Sequence, residues 1–63
     1  MNNTYLAAAN EVENGNVIVD SAECWNVTGV AYNSKHVTLT LVNARGEKRT
    51  RTVRKSESIR VCR

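Results

Sequence analysis

Residues 36–55 read HVTLTLVNARGEKRTRTVRK, and the fold follows from how this stretch alternates. Val37, Leu39 and Leu41 occupy every second position between Thr38, Thr40 and Val42, which is the period of a strand with one face in a core. Asn43-Ala44-Arg45-Gly46-Glu47 then has turn chemistry, with Gly46 free to take a positive φ. From Lys48 to Arg54 basic residues alternate with Thr and Val. The segment therefore predicts a β-hairpin with an apolar first strand and a cationic second strand.

Working outward from the hairpin, the flanking segments carry the same kind of signal. On the N-terminal side, Asn14-Gly15 marks a turn and Val17-Ile18-Val19 a compact strand, closed by Asp20-Ser21-Ala22-Glu23. Cys24 to Tyr32 predicts a longer strand in which Trp25 and Val27 share one face. Gly29 falls where that phase changes, so a bulge there would return Val30 to the core side. Asn33-Ser34-Lys35 leads into the hairpin. On the C-terminal side, Ser56-Glu57-Ser58 suits a 3₁₀ turn and Ile59-Arg60-Val61-Cys62 a last strand, with Arg60 facing outward. Residues 2–12 suit a helical turn, a short strand or a loop, and residues 1–11 are expected to be partly flexible. The expectation is one all-β domain over residues 1–63, built from about five short antiparallel strands.

Composition agrees. The 63 residues include no Phe, one Trp and two Tyr, so the core rests on Val, Leu and Ile, whose branching favours strands. A chain this short buries only about 60% of its extended surface, so the core is thin. No run of 18 apolar residues occurs, so no transmembrane helix is expected. Met1-Asn2-Asn3-Thr4 lacks a basic and an apolar leader region, so the chain reads as cytoplasmic. In that compartment Cys24 and Cys62 are expected as free thiols, and the sequons at Asn2 and Asn26 as chance matches. Two cysteines without close spacing and a single His36 make a poor metal site, and neither metal nor cofactor is expected.

The order GNVIVD, CWNVTGV, HVTLTLVNARGE and TVRKSESIRV resembles a small SH3-like barrel of bacterial or bacteriophage type, a likeness that covers residues 12–62. In that fold a Gly-led strand follows a loop, three meander strands come next, and a 3₁₀ turn precedes the last strand. The resemblance places the 3₁₀ turn at Lys55-Ser56-Glu57-Ser58. The chain lacks the ALYDY-like run and the Trp-Trp pair of SH3 domains that bind proline-rich peptides, so the resemblance does not extend to that activity.

Charge is distributed unevenly. Residues 1–34 hold four carboxylates and no Lys or Arg, whereas residues 35–63 hold all nine basic residues against two glutamates. The halves carry −4 and +7 within a net charge of +3, an asymmetry that points to a polyanionic partner. Arg45, Lys48, Arg49, Arg51, Arg54, Lys55 and Arg60 are the candidate contacts to a DNA or RNA backbone. Tyr32 and His36 are candidates for stacking on bases. If Val53 faces the core, Arg49 and Arg51 are expected where the hairpin projects beyond the barrel, as a basic finger at residues 43–51. The opposing reading is that the two charged halves neutralise each other across the folded domain. No nucleophile, base and acid are arranged as a catalytic signature, so no enzymatic activity is expected. The alternative partner is a protein, with the domain as a small adaptor or inhibitor and, if phage-encoded, acting on a host protein. Neither reading involves a membrane, and both allow a monomer or a homodimer.

Overall fold

A computed structural model describes residues 3–62; Met1, Asn2 and Arg63, and with them the sequon at Asn2, lie outside the described residues. Six strands form one antiparallel sheet: β1 (Thr4–Ala8), β2 (Val17–Asp20), β3 (Glu23–Tyr32), β4 (His36–Val42), β5 (Lys48–Arg54) and β6 (Ser58–Cys62). Their spatial order is β1-β6-β2-β3-β4-β5. The sheet rolls around a core of Val12, Ile18, Trp25, Val27, Val37, Leu39, Leu41, Val53, Ile59 and Val61, with Ala9 fully buried beside them. This is the small all-β, barrel-like domain that the alternation predicts. Among the described residues no helix is long and apolar enough to cross a membrane.

β4 is the central strand of that core. Its burial alternates at every residue, with Val37, Leu39 and Leu41 inside. β3 is ten residues long because it serves two partners: its first half pairs with β2 and its second with β4. The register shifts between Val27 and Gly29, so Thr28 is the extra residue of a bulge. The bulge restores the phase, and Val30 packs against the core opposite Leu39. A Cβ at Gly29 would sit 3.4 Å from Thr40 Oγ1, so glycine lets the bent strand approach β4. The turn glycines also behave as the sequence implies, with φ of +98° at Gly15 and +82° at Gly46.

Two features differ from the expectation. The strands number six rather than about five, because the N-terminal segment forms β1 and pairs with β6 along its whole length. The 3₁₀ turn is Ala9–Glu11, after β1, and not the segment before the last strand. Between β5 and β6 the chain reverses in a tight turn closed by the Glu57 N–H donating to the Arg54 carbonyl (3.0 Å). With strands so close, that turn has no room for a helical repeat. Its remaining carbonyls instead receive the N–H groups of Ala9 (2.8 Å, to Glu57) and Asn10 (3.2 Å, to Lys55). The connection from β1 to β2, which must cross the barrel end, is where the 3₁₀ turn forms.

Candidate nucleic-acid interface

The cations of β5 divide by side. In the β4–β5 ladder, Val53, Arg51 and Arg49 lie opposite Val37, Leu39 and Leu41, whereas Arg54, Thr52, Thr50 and Lys48 lie opposite His36, Thr38, Thr40 and Val42. The first row shares the face of the buried β4 residues, and the second row is on the outer face.

The inner row is neutralised. The β2–β3 hairpin brings Asp20 over β5, where its carboxylate receives Arg49 Nη1 (3.0 Å) and Arg51 Nη1 (2.5 Å). The Asp20 side chain is only 12% exposed. Arg51 also reaches Glu57 (3.3 Å), and the Arg49 guanidinium lies 4.6 Å from the centre of the Trp25 ring. Trp25, buried as its uniqueness in the core implies, donates its Nε1–H to the Asp20 carbonyl (3.2 Å). The Asp20–Glu23 reversal that delivers Asp20 holds Ser21 and Ala22 at φ of +53° and +60°. Both central residues are left-handed, as in the two-residue turns that match strand twist.

The 43–51 tip is likewise closed on itself. Arg45 pairs with Glu47 (2.7 Å) and with Glu23 (2.8 Å). Asn43, 3% exposed, is the hub. Its Nδ2 donates to Glu47 (2.7 Å) and Glu23 (3.2 Å), and its Oδ1 accepts the N–H groups of Arg45 (3.0 Å) and Glu47 (2.9 Å). The bond from Asn43, then the hydrogen bond and charge of Arg45, hold the Glu47 carboxyl below its ordinary range. The basic finger expected at residues 43–51 is therefore absent. Arg49 and Arg51 do not project, because both turn back onto Asp20 of the β2–β3 hairpin while staying partly exposed, and Arg45 is engaged by carboxylates from both halves of the chain.

The opposite end of the barrel differs. There the 33–35 turn, the 55–57 turn and the 3₁₀ turn meet. Asn33 Oδ1 accepts the N–H groups of Lys35 (2.9 Å) and His36 (2.6 Å), which fixes the first turn, and the Lys55 N–H donates to the Lys35 carbonyl (3.1 Å), which joins it to the second. Between them opens a cleft of about 630 Å³ lined by Ser34, Lys35, His36, Arg54, Lys55 and Ser56. Among the described residues no carboxylate lines it. Lys35 and Arg54 make no ion pair among the described residues, and Lys55 meets only the face of Tyr32, at 5.9 Å. Tyr32 is 54% exposed, with its hydroxyl 3.5 Å from the Asn10 carbonyl.

Of the seven cations singled out by sequence, Arg54 and Lys55 converge on this cleft. Lys48 stands exposed at the far end of the outer β5 face without an ion pair among the described residues. Arg60 donates to Thr4 Oγ1 (3.0 Å) on β1. Both stacking candidates belong to the cleft end, His36 in its wall and Tyr32 beside Lys55. Lys35, Ser34 and Ser56 are additions. Lys35 stands apart from the basic run, and only the His36–Arg54 register brings it there. Among the described residues no three His, Cys, Asp or Glu side chains gather as metal ligands.

No family model matches the chain, and no curated protein sequence does. Among solved structures it is similar to a translation initiation factor eif-5a family protein from Naegleria fowleri, with a TM-score of 0.80 and 19% sequence identity. The superposition covers 95% of this chain and 47% of that one, so the chain spans about half the length of its structural neighbour. At this identity the likeness is one of fold, and it agrees with the small barrel described above.

Proposed function

We propose that the domain is a non-catalytic, cytoplasmic nucleic-acid-binding module that holds the phosphate backbone at the 33–35/55–57 end of the barrel. Lys35, Arg54 and Lys55 supply the charge, His36 and the hydroxyls of Ser34 and Ser56 supply further polar contacts, and the exposed Tyr32 ring offers a stacking surface beside them. Lys48 extends the contact along the outer face of β5. One observation carries this reading: three cations converge on an open cleft that no carboxylate lines, while the inner-row arginines are consumed by Asp20 and Glu57. Cations gathered without counter-charge focus a positive potential and favour an anionic occupant. Among nucleic acids RNA is the preferred ligand, in keeping with the fold shared with part of a translation initiation factor family protein.

Fluorescence anisotropy with single-stranded and duplex RNA and DNA, at low and moderate salt, tests this. Neutralising three phosphates on a single strand gives a slope of log affinity against log salt of about −2. Absence of binding at low salt, or unchanged binding by a Lys35→Glu/Arg54→Glu variant, would sink the proposal. A second reading, a protein partner, draws on Leu6, which is 60% exposed on the edge strand β1. A stoichiometric protein retained after nuclease treatment, lost on Leu6→Lys, favours that reading.

A further inference from the structure

The two cysteines are 38 positions apart in sequence, yet their sulfurs lie 3.7 Å from each other. Cys24 pairs with Val19 of β2 and Cys62 with Val17 of the same strand, so the thiols meet from the two strands that flank β2. Both are free, Cys24 exposed and Cys62 half-buried. We propose that Cys24 and Cys62 are a reversible dithiol–disulfide pair, oxidised by low-molecular-weight disulfides, which ties β3 to β6 over β2.

Bond formation requires the sulfurs to close from 3.7 Å to about 2.05 Å. Because β2 lies between the two strands, part of that closure falls on the backbone. Among the described residues β2 and β6 are registered at Val17–Cys62 and Ile18–Val61, and Cys62 also faces Thr4 of β1, so β6 must shift relative to both neighbours for the sulfurs to join.

The two thiols have different roles. Exposed Cys24 meets the oxidant: its thiolate attacks one sulfur of RS–SR, a mixed disulfide forms, and one RS⁻ leaves. The Cys62 thiolate then attacks Cys24 Sγ, the mixed disulfide breaks, and the second RS⁻ leaves. Two protein thiols thus lose two electrons and two protons, and the oxidant gains both to become two RSH. Burial, then the hydrogen bond and charge of Cys24, hold the Cys62 thiol above its ordinary range.

Treatment of the full chain with oxidised glutathione tests the pair. The expected product has lost two hydrogens by mass and both alkylatable thiols, runs as a monomer without reductant, and reverts with a reducing dithiol. Its unfolding midpoint is expected to rise by about 10 °C. Cys62→Ser is expected to stop at one glutathione adduct on Cys24, and Cys24→Ser to react about tenfold more slowly than the wild type. A lasting glutathione adduct on the wild-type chain, a covalent dimer, or an unfolding midpoint that does not rise overturns the proposal. Equal rates for the two serine variants overturn the order of the steps.

Discussion

The two faces of β5 contrast within seven residues. On the inner face Arg49 and Arg51 continue the row begun by Val53, and a carboxylate from the other half of the chain meets them. On the outer face and at the strand end, Arg54 and Lys55 make no ion pair among the described residues and join Lys35 around a cleft. Residues a few positions apart thus carry the same formal charge in different surroundings. The inner arginines close the sheet: inward-pointing charges on an edge strand discourage strand addition, and Asp20 makes them part of the barrel wall. The outer cations retain their field. A count of basic residues therefore overstates the surface available to a polyanion, because part of the count is spent within the fold.

Breaking the inner set is expected to have the largest effect. Asp20→Ala leaves Arg49 and Arg51 without their shared carboxylate above the core, and Arg51 keeps only its longer contact to Glu57. Losing one partner of a buried ion pair costs about 3–5 kcal/mol. The arginines here are partly exposed, so about 2 kcal/mol is expected, a fall in unfolding midpoint of roughly 10 °C. Binding to RNA at low salt is expected to hold or strengthen. If it collapses in a folded Asp20→Ala protein, the cations do not divide as described.

The reciprocal change is Lys35→Glu with Arg54→Glu. Both side chains lack ion pairs among the described residues, so the unfolding midpoint is expected to move little while low-salt affinity falls at least tenfold, about 1.4 kcal/mol. A smaller effect sharpens the structural side. Ala22 holds φ at +60°, a conformation that costs a side chain about 1–2 kcal/mol. Ala22→Gly removes that cost and adds unfolded-chain entropy, for a net gain of about 0.5 kcal/mol by denaturant titration. A loss instead would mean that the Ala22 methyl contributes packing that outweighs its backbone strain.

Much of this was legible in the sequence where the signal is local. The alternation of Val37, Leu39 and Leu41, the phase break at Gly29, the turn at Asn14-Gly15 and the left-handed Gly46 each depend on a few neighbouring residues, and each appears in the structure. Alternation also assigns Arg49 and Arg51 to the face of Val53. It cannot say what covers them, because Asp20 is about thirty positions away and arrives through the curl of another hairpin. Lys35 escaped for the same reason: its place beside Arg54 and Lys55 is a consequence of strand register. The sequence does not separate the two candidate 3₁₀ segments, because Ser56-Glu57-Ser58 and Ala9-Asn10-Glu11 are equally short and neither contains a Gly or Pro. Only the distance each connection must span distinguishes them.

Acid separates the two ends of the barrel without mutation, and with the smallest expected effect. Glu47 is held below its ordinary value of 4.5 by the hydrogen bond from Asn43 and then by Arg45. A carboxyl with a lower pKa in the folded than in the unfolded state contributes stability that is present above the unfolded value and lost as pH falls through the folded one. The Glu47 contribution is thus complete above about pH 4.5 and disappears below it. Arg45, whose pKa is raised by the same contacts, stays charged throughout. Thermal unfolding of the wild type and of Glu47→Gln is expected to differ slightly at pH 6 and to converge as pH falls below 4.5. Among the described residues no carboxylate lines the cleft itself, so its cations do not depend on one that acid could neutralise, and RNA affinity of the folded protein is expected not to fall across the same interval. Parallel loss of affinity and of the Glu47 contribution would place the hairpin tip in the binding surface and remove the contrast between the two ends.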